Sequence, residues 1–375
     1  MKRTDICALR PGMVLARSIY DRGGNLLLGA GVKLKPQYIH QLRQLGFPAV
    51  YVEDAQIKDV IVEDVIFEET RMEAVQEVKK IMTTIEATGE GKGELPSIRK
   101  KLAKVVANIV DELLANPDVM VNLTDIRTAD SYTFAHSVNV AVLSVLTGIS
   151  MGYSRMKLDR LAIGAIIHDL GKTKIPLKIL NKEGFLTKSE FDKIKKHPFY
   201  GYEIARKQND LSADSCQIIY QHHERGDGSG YPLGLVSSEI NELAKIVALT
   251  DVYDALAANR PYRKALLQHQ ALEIIYAQTE KFDPEIICCF SKHIAAYPIG
   301  TYVELSSGER GIVVGNTIGN PLCPTVRITH KDKGIPLREP FEKNLVEELD
   351  IVVSKVLDDG EELREEEGLV SVKES

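Results

Sequence analysis

The sequence predicts a mainly α protein: a helical core with a small α+β module at the N-terminus and a small β-rich module at the C-terminus. Three observations predict it. Apolar residues recur at helical spacing through long segments between residues 63 and 297. From Ser131 to Ser154 there is no Asp, Glu, Lys or Arg, the pattern of a helix buried on all sides. Strand-like runs bounded by glycine turns gather at the two ends of the chain.

Residues 1–60 form the α+β module. Gly23 to Gly31 reads as turn, short strand and turn, Lys35-Pro36 opens a helix with Ile39, Leu42 and Leu45 on one face, and Ala49 to Val52 reads as a strand. Residues 61–117 predict a helical hairpin. Its first helix, Glu63 to Glu86, carries Val65, Met72, Val75, Val78 and Met82 on one face, and its second runs from Ser97 to Ala115. Such a hairpin suits homodimerisation or signal coupling, and equally a lid packed on the next domain. Residues 118–297 read as helical throughout. Beyond Tyr297-Pro298 the texture changes, with strands expected near 301–305, 311–314 and 325–328 in a module spanning 298–349. The acidic tail, 350–375, is expected to fray.

Of the 375 residues, 44% are hydrophobic and 27% charged, as in an ordinary globular protein. The net charge of -6 offers no global basic field, and no basic face or helix-turn-helix pattern stands out. Nucleic-acid polymers are therefore not expected as partners. The uncharged run is long enough to span a bilayer, but His136, Asn139 and several serines within it favour a soluble core, so no membrane segment is expected. Cys7, Cys216, Cys288, Cys289 and Cys323 make no CxxC pair, which fits reduced thiols in a cytoplasmic protein.

The chemistry lies in the central helical stretch. His136, His168, Asp169, His197, His222, His223 and Asp251 are separated by helical segments, and five of the nine histidines belong to this set. Imidazole and carboxylate without thiolate is a donor mix for iron or manganese, with zinc or nickel also admitted. A lone histidine on an apolar helix is more often a satisfied core residue. His168-Asp169, however, sits within the apolar run Leu161 to Leu170, and a buried Asp beside a buried His is costly unless paired or metal-bound. Adjacent helical residues point about 100° apart, which suits a carboxylate bridging two ions.

The pattern His168-Asp169-Leu-Gly171-Lys172, then His197, then His222-His223-Glu224 with Asp227 to Pro232, resembles the HD-GYP branch of the HD-domain phosphohydrolases. Asp251-Val-Tyr-Asp254 followed by Asn259-Arg260-Pro261-Tyr262-Arg263 extends the match, over roughly residues 120 to 297. The resemblance implies a helical HD-domain core and phosphodiesterase activity on cyclic di-GMP, giving pGpG or GMP through a hydroxide activated by two divalent metal ions. It implies one metal held by His136, His168, Asp169 and Asp251, and another by Asp169, His197, His222 and His223. Asp169 and Lys172 would act in catalysis. Lys172, Gly230, Tyr231, Asp254, Arg260 and Arg263 would meet the substrate, with Gly228 helping the loop turn and Glu224 supporting a ligand. Asp254 could instead orient a ligand or brace the loop. The chain departs from some members in having Tyr132 where they carry a glutamate for a third metal, so a dinuclear centre is expected. A binding-only receptor and a hydrolase of another cyclic dinucleotide or nucleotide are the alternatives.

Overall fold

The computed structural model describes residues 1–20, 26–47, 49–54, 57–60, 62, 64–88, 97–121, 132–182, 184–257, 265–331 and 335–357. The chain divides into two units: residues 1–63, 120–129 and 294–375 in one, and residues 64–119 and 130–293 in the other.

In the first unit, β1 (Lys2–Asp5), β2 (Ile19–Tyr20), β3 (Leu26–Leu28), α1 (Pro36–Gln44) and β4 (Ala49–Val52) follow in order. β1 pairs antiparallel with β4 and β2 with β3, over a core that includes Leu15, Leu34, Ile39, Leu42 and Val50. Pro36 starts α1, where its missing N–H costs nothing. Five more strands, β5 (Tyr302–Leu305), β6 (Arg310–Thr317), β7 (Asn320–Lys331), β8 (Ile335–Asn344) and β9 (Val353–Val356), make an antiparallel sheet of order β8-β7-β6-β5-β9. Ile57 packs with Tyr302, Ile312 and Leu357, and Arg327 grips Asp59 at 2.6 Å, which ties the two ends of the chain into one unit.

Two of these strands depart from the sequence expectation. β8 contains Pro336 and Pro340, which argue against a strand, but it lies at the sheet edge, where a missing N–H is tolerated. β9 falls in the tail expected to fray; it instead pairs with β5 as the opposite edge. Residues 358–375 lie outside the described residues.

The second unit is helical: α2 (Glu68–Thr88), α3 (Ile98–Ala115), α4 (Tyr132–Ser150), α5 (Arg155–Ile166), a 3-10 turn over Leu170–Lys174, α6 (Leu177–Leu180), α7 (Lys188–Ile194), α8 (His197–Ala205), α9 (Ala213–Gln221), α10 (Glu242–Ala257), α11 (Gln268–Tyr276) and α12 (Pro284–Ser291). α2 begins later than the sequence pattern indicates. α3 starts where expected, with the Ser97 hydroxyl accepting from Lys100 N at 3.1 Å. Glu112 near the end of α3 accepts from Thr70 near the start of α2, and Lys104 meets Glu73, so the two helices run antiparallel. Their apolar faces, including Val78, Ile81, Ile85, Leu102, Val106 and Ile109, are buried within the chain. The uncharged run becomes α4, whose residues from Val138 to Leu146 are buried nearly all round, as a core helix requires. Among the described residues no helix is long and apolar enough to cross a membrane.

Candidate metal centre

All seven residues of the predicted donor set converge within the helical unit. His136 projects from α4, His168 and Asp169 from the junction between α5 and the 3-10 turn, His197 from the first position of α8, His222 and His223 from the end of α9, and Asp251 from α10. Their donor atoms form two groups, His136, His168 and Asp251 in one and Asp169, His197, His222 and His223 in the other. Within each group the atoms lie within 4.8 Å of one another. Asp169 joins the groups: Oδ2 lies 3.3 Å from His168 Nε2, and Oδ1 lies 3.3 Å from His197 Nε2.

A close backbone approach sets this geometry. A Cβ on Gly171 would stand 1.9 Å from the carbonyl oxygen of His197 and 2.4 Å from Gly201 N, so only glycine lets the turn after Asp169 lie against α8.

Three histidines are oriented in the same way. Nδ1 of His168, His197 and His222 lies 2.7, 2.8 and 2.9 Å from the carbonyl oxygens of Ala165, Ile194 and Ile219, each three residues back. A carbonyl only accepts, so each Nδ1 carries the proton and each Nε2 presents a lone pair to the centre. His136 is held differently: its Nδ1 donates to Asp254 Oδ2 at 2.7 Å, while its Nε2 lies 3.0 Å from Asp251 Oδ1.

The charges fit a cation site. Burial alone would raise the carboxyls of Asp169 and Asp251, but their neighbours hold both well below the ordinary carboxylate range: Lys172 and His168 for the first, His136 for the second. Burial and neighbouring imidazoles push His222 and His223 well below the usual histidine value, leaving them neutral. Burial opposes a charge on His136 too, yet its hydrogen bonds to Asp251 and Asp254 raise it to about 9. His168 Nε2 and Asp169 Oδ1 are buried without a hydrogen-bond partner among the described residues. Two orphaned donors facing one centre, in a set of nitrogen and oxygen atoms alone, fit a divalent metal site.

The other predicted residues surround this cluster. Lys172 Nζ stands 2.5 Å from Asp169 Oδ2, with its side chain 31% exposed. The Tyr231 ring stacks on His223, with centroids 4.6 Å apart, and Tyr231 N donates to His223 O. Gly228 takes a positive φ of 78°, whereas Gly230 is needed for close approach: a Cβ there would lie 2.4 Å from Arg225 N. Glu224 is buried and accepts from Leu233 N at 2.7 Å and Leu235 N at 3.0 Å, clamping the loop. Asp254 is buried behind His136 rather than open to a substrate, and also accepts from Asn139 Nδ2 at 2.9 Å. Arg260 and Arg263 lie outside the described residues, and Tyr132 opens α4 with its side chain undescribed.

Sequence reasoning missed three residues here. Asn139 lies one turn beyond His136 on the same face of α4, a spacing that could have flagged it. Lys195, two residues before His197, sits over the Tyr231 ring at 5.5 Å and the Phe191 ring at 4.9 Å. Arg71, which donates to Asn139 Oδ1 at 2.8 Å, comes from a helix far away in sequence, and nothing in its local pattern announces it.

Residues 127–286 match the family model described as HD domain. A cyclic di-GMP phosphodiesterase of Pseudomonas aeruginosa is 34% identical over 226 residues, 59% of this chain and 55% of that protein. A cyclic di-GMP phosphodiesterase of Borreliella burgdorferi is 31% identical over 237 residues, 63% of this chain and 62% of its own length. The 3'3'-cGAMP-specific phosphodiesterase 1 of Vibrio cholerae is 32% identical over 194 residues, 51% of this chain and 42% of its own length. The matched part of the chain thus spans about half the length of these relatives.

Proposed function

We propose that this chain, whose residues 127–286 match the HD domain family, is a metal-dependent phosphodiesterase of the HD-GYP form that hydrolyses cyclic di-GMP to pGpG or GMP. The observation that carries this reading is the placement of Asp169, one buried carboxylate whose two oxygens face two separate groups of donors. Two divalent ions, iron or manganese ahead of zinc or nickel, would be held by those groups with Asp169 shared. Such a pair, when bound, supplies an activated water and neutralises phosphoryl charge during in-line displacement.

The chain's own residues do the rest. Main-chain carbonyls fix the tautomers of His168, His197 and His222, so their Nε2 atoms are ready as ligands. Lys172, partly exposed beside Asp169, would donate to a phosphoryl oxygen as charge develops, a role its nearness to Asp169 supports. Tyr231 offers a ring face beside His223, and Lys195 over that ring adds a cation for an anionic substrate. Arg260 and Arg263, which lie outside the described residues, belong to the proposal as cations for the phosphates, and Arg260→Ala should raise KM; an unaltered KM would remove that role.

The relative named for 3'3'-cGAMP favours a second reading, hydrolysis of a different cyclic dinucleotide. One experiment separates the two. Anaerobically purified protein, with its metal content quantified, is incubated with cyclic di-GMP and in parallel with 3'3'-cGAMP, and products are followed by chromatography. Linear product from cyclic di-GMP, lost on chelation, supports the proposal, whereas turnover of cGAMP alone moves it to the second reading. Tight binding without turnover in the metal-loaded protein would make the chain a receptor. Homodimerisation through α2 and α3 and a cytoplasmic location belong to the same proposal; sedimentation at micromolar concentration tests the dimer.

A further inference from the structure

We infer that Arg71 on α2 is a positioning residue for the His136 half of the centre, acting through Asn139 and Asp254. The inference rests on the metal reading of the site and extends it to a helix that lies outside residues 127–286.

The chain of contacts is continuous and directional. Arg71 donates an N–H to Asn139 Oδ1 at 2.8 Å, Asn139 Nδ2 donates to Asp254 Oδ1 at 2.9 Å, and Asp254 Oδ2 accepts from His136 Nδ1 at 2.7 Å. Asn139, Asp254 and His136 are all buried. The guanidinium can only donate and the carboxylate can only accept, so the two ends leave the Asn139 amide a single useful orientation. That orientation places the Asp254 carboxylate where it holds the His136 ring with its Nε2 toward Asp251 and the first donor group.

This arrangement differs from the rest of the centre. His168, His197 and His222 are oriented by main-chain carbonyls three residues back in their own segments rather than by a side chain. The relay that starts at Arg71 ends on His136, in the first donor group. Partners of this kind, behind a metal-bound histidine, set its tautomer and ring angle, and their loss typically weakens metal binding by about 10- to 100-fold.

The test is a titration of manganese(II) into the metal-free 375-residue chain, read by calorimetry and by metal content after gel filtration, with no substrate present. For Arg71→Ala, one of two manganese sites should weaken by at least about 10-fold while the other is unchanged. Glu73→Ala, on the same helix as Arg71, removes an exposed pair with Lys104 of α3 and should leave both sites as they are. Unchanged binding in folded Arg71→Ala would overturn the inference. Equal weakening in Glu73→Ala would also overturn it, because docking of the helical hairpin would then be the cause. If Arg71→Ala does not fold, Asn139→Ala carries the same test with α2 intact, and the same two outcomes decide it. Failure here leaves the proposed phosphodiesterase standing, since turnover of cyclic di-GMP is measured separately.

Discussion

The two halves of the donor cluster are built on different principles. In the half centred on Asp169, His197 and His222 each anchor Nδ1 to the carbonyl three residues earlier, so the segment that supplies the ligand also orients it. In the other half, His168 follows that local rule, but His136 is oriented by Asp254 from α10, which is itself held from α4 and α2. A backbone carbonyl cannot be removed by a side-chain substitution, so the locally held rings answer only to changes in themselves or in their own turns. His136 can be loosened from a distance. His197 and His222 are robust by construction, and His136 is open to adjustment by elements outside the donor set.

The largest effect is expected where the halves meet. Asp169→Ala removes the shared carboxylate, and His168→Ala removes the ring that faces it. Both should lose metal and turnover together, leaving activity at background. Normal metal content in either folded variant, measured by elemental analysis, would sink the shared-carboxylate model. The next effect should separate the halves. Asp254→Asn leaves every proposed ligand in place but puts an amide against His136 Nδ1. One metal per chain should weaken by about 10- to 100-fold and the other should hold. Equal loss of both would mean that the halves do not differ in the way their hydrogen bonds indicate.

What was legible in the sequence follows the same division between local and remote causes. His168-Asp169 stood out because a charged pair in the run Leu161 to Leu170 conflicts with burial. Ser97 marked the start of α3 through a cap that needs only the next turn. β8 was hidden because Pro336 and Pro340 weaken every local strand signal, and only its edge position makes them harmless. β9 was hidden because its partner β5 lies about fifty residues earlier and its own composition resembles a solvated tail. Arg71 was illegible for the strongest version of that reason. An arginine on an amphipathic helix is ordinarily a solvated face, and only the packing of α2 near α4 turns it toward Asn139.

A smaller effect probes the mouth of the centre. Lys195 lies over the rings of Tyr231 and Phe191, and Tyr231 stacks on His223. A partly buried cation above a ring contributes about 1 kcal/mol, so Lys195→Ala should raise KM for the cyclic dinucleotide by a few-fold, with kcat and metal content unchanged. A fall in kcat at constant KM would instead place Lys195 in the chemistry, alongside Lys172.

The finest test reads the difference between the halves as a dependence on pH in the metal-free protein. Burial opposes a charge on His136, but Asp251 and Asp254 raise its value to about 9, against about 6.5 in the unfolded chain. A raised folded value means that its stabilisation is complete below pH 6.5 and is lost as pH climbs through 9. His222 and His223 shift the opposite way: their folded values are depressed by burial, so they favour unfolding once pH falls below the unfolded value. The melting temperature of the metal-free chain should therefore decline on both sides of neutrality. His136 contributes to the alkaline limb beside the Cys216 and Cys289 thiols that burial raises, and His222 and His223 to the acid limb beside His269 and His293 that burial lowers. Each kcal/mol lost should appear as a shift of about 2–4 °C. Asp254→Asn withdraws one of the two carboxylates that raise His136, so it should flatten the alkaline limb and leave the acid limb as it was. Melting curves at pH 5.5, 6.5, 8 and 9.5 for both proteins would show it. An alkaline limb unchanged in the variant would place its origin elsewhere and remove the charge on His136 as the feature that sets the two halves apart.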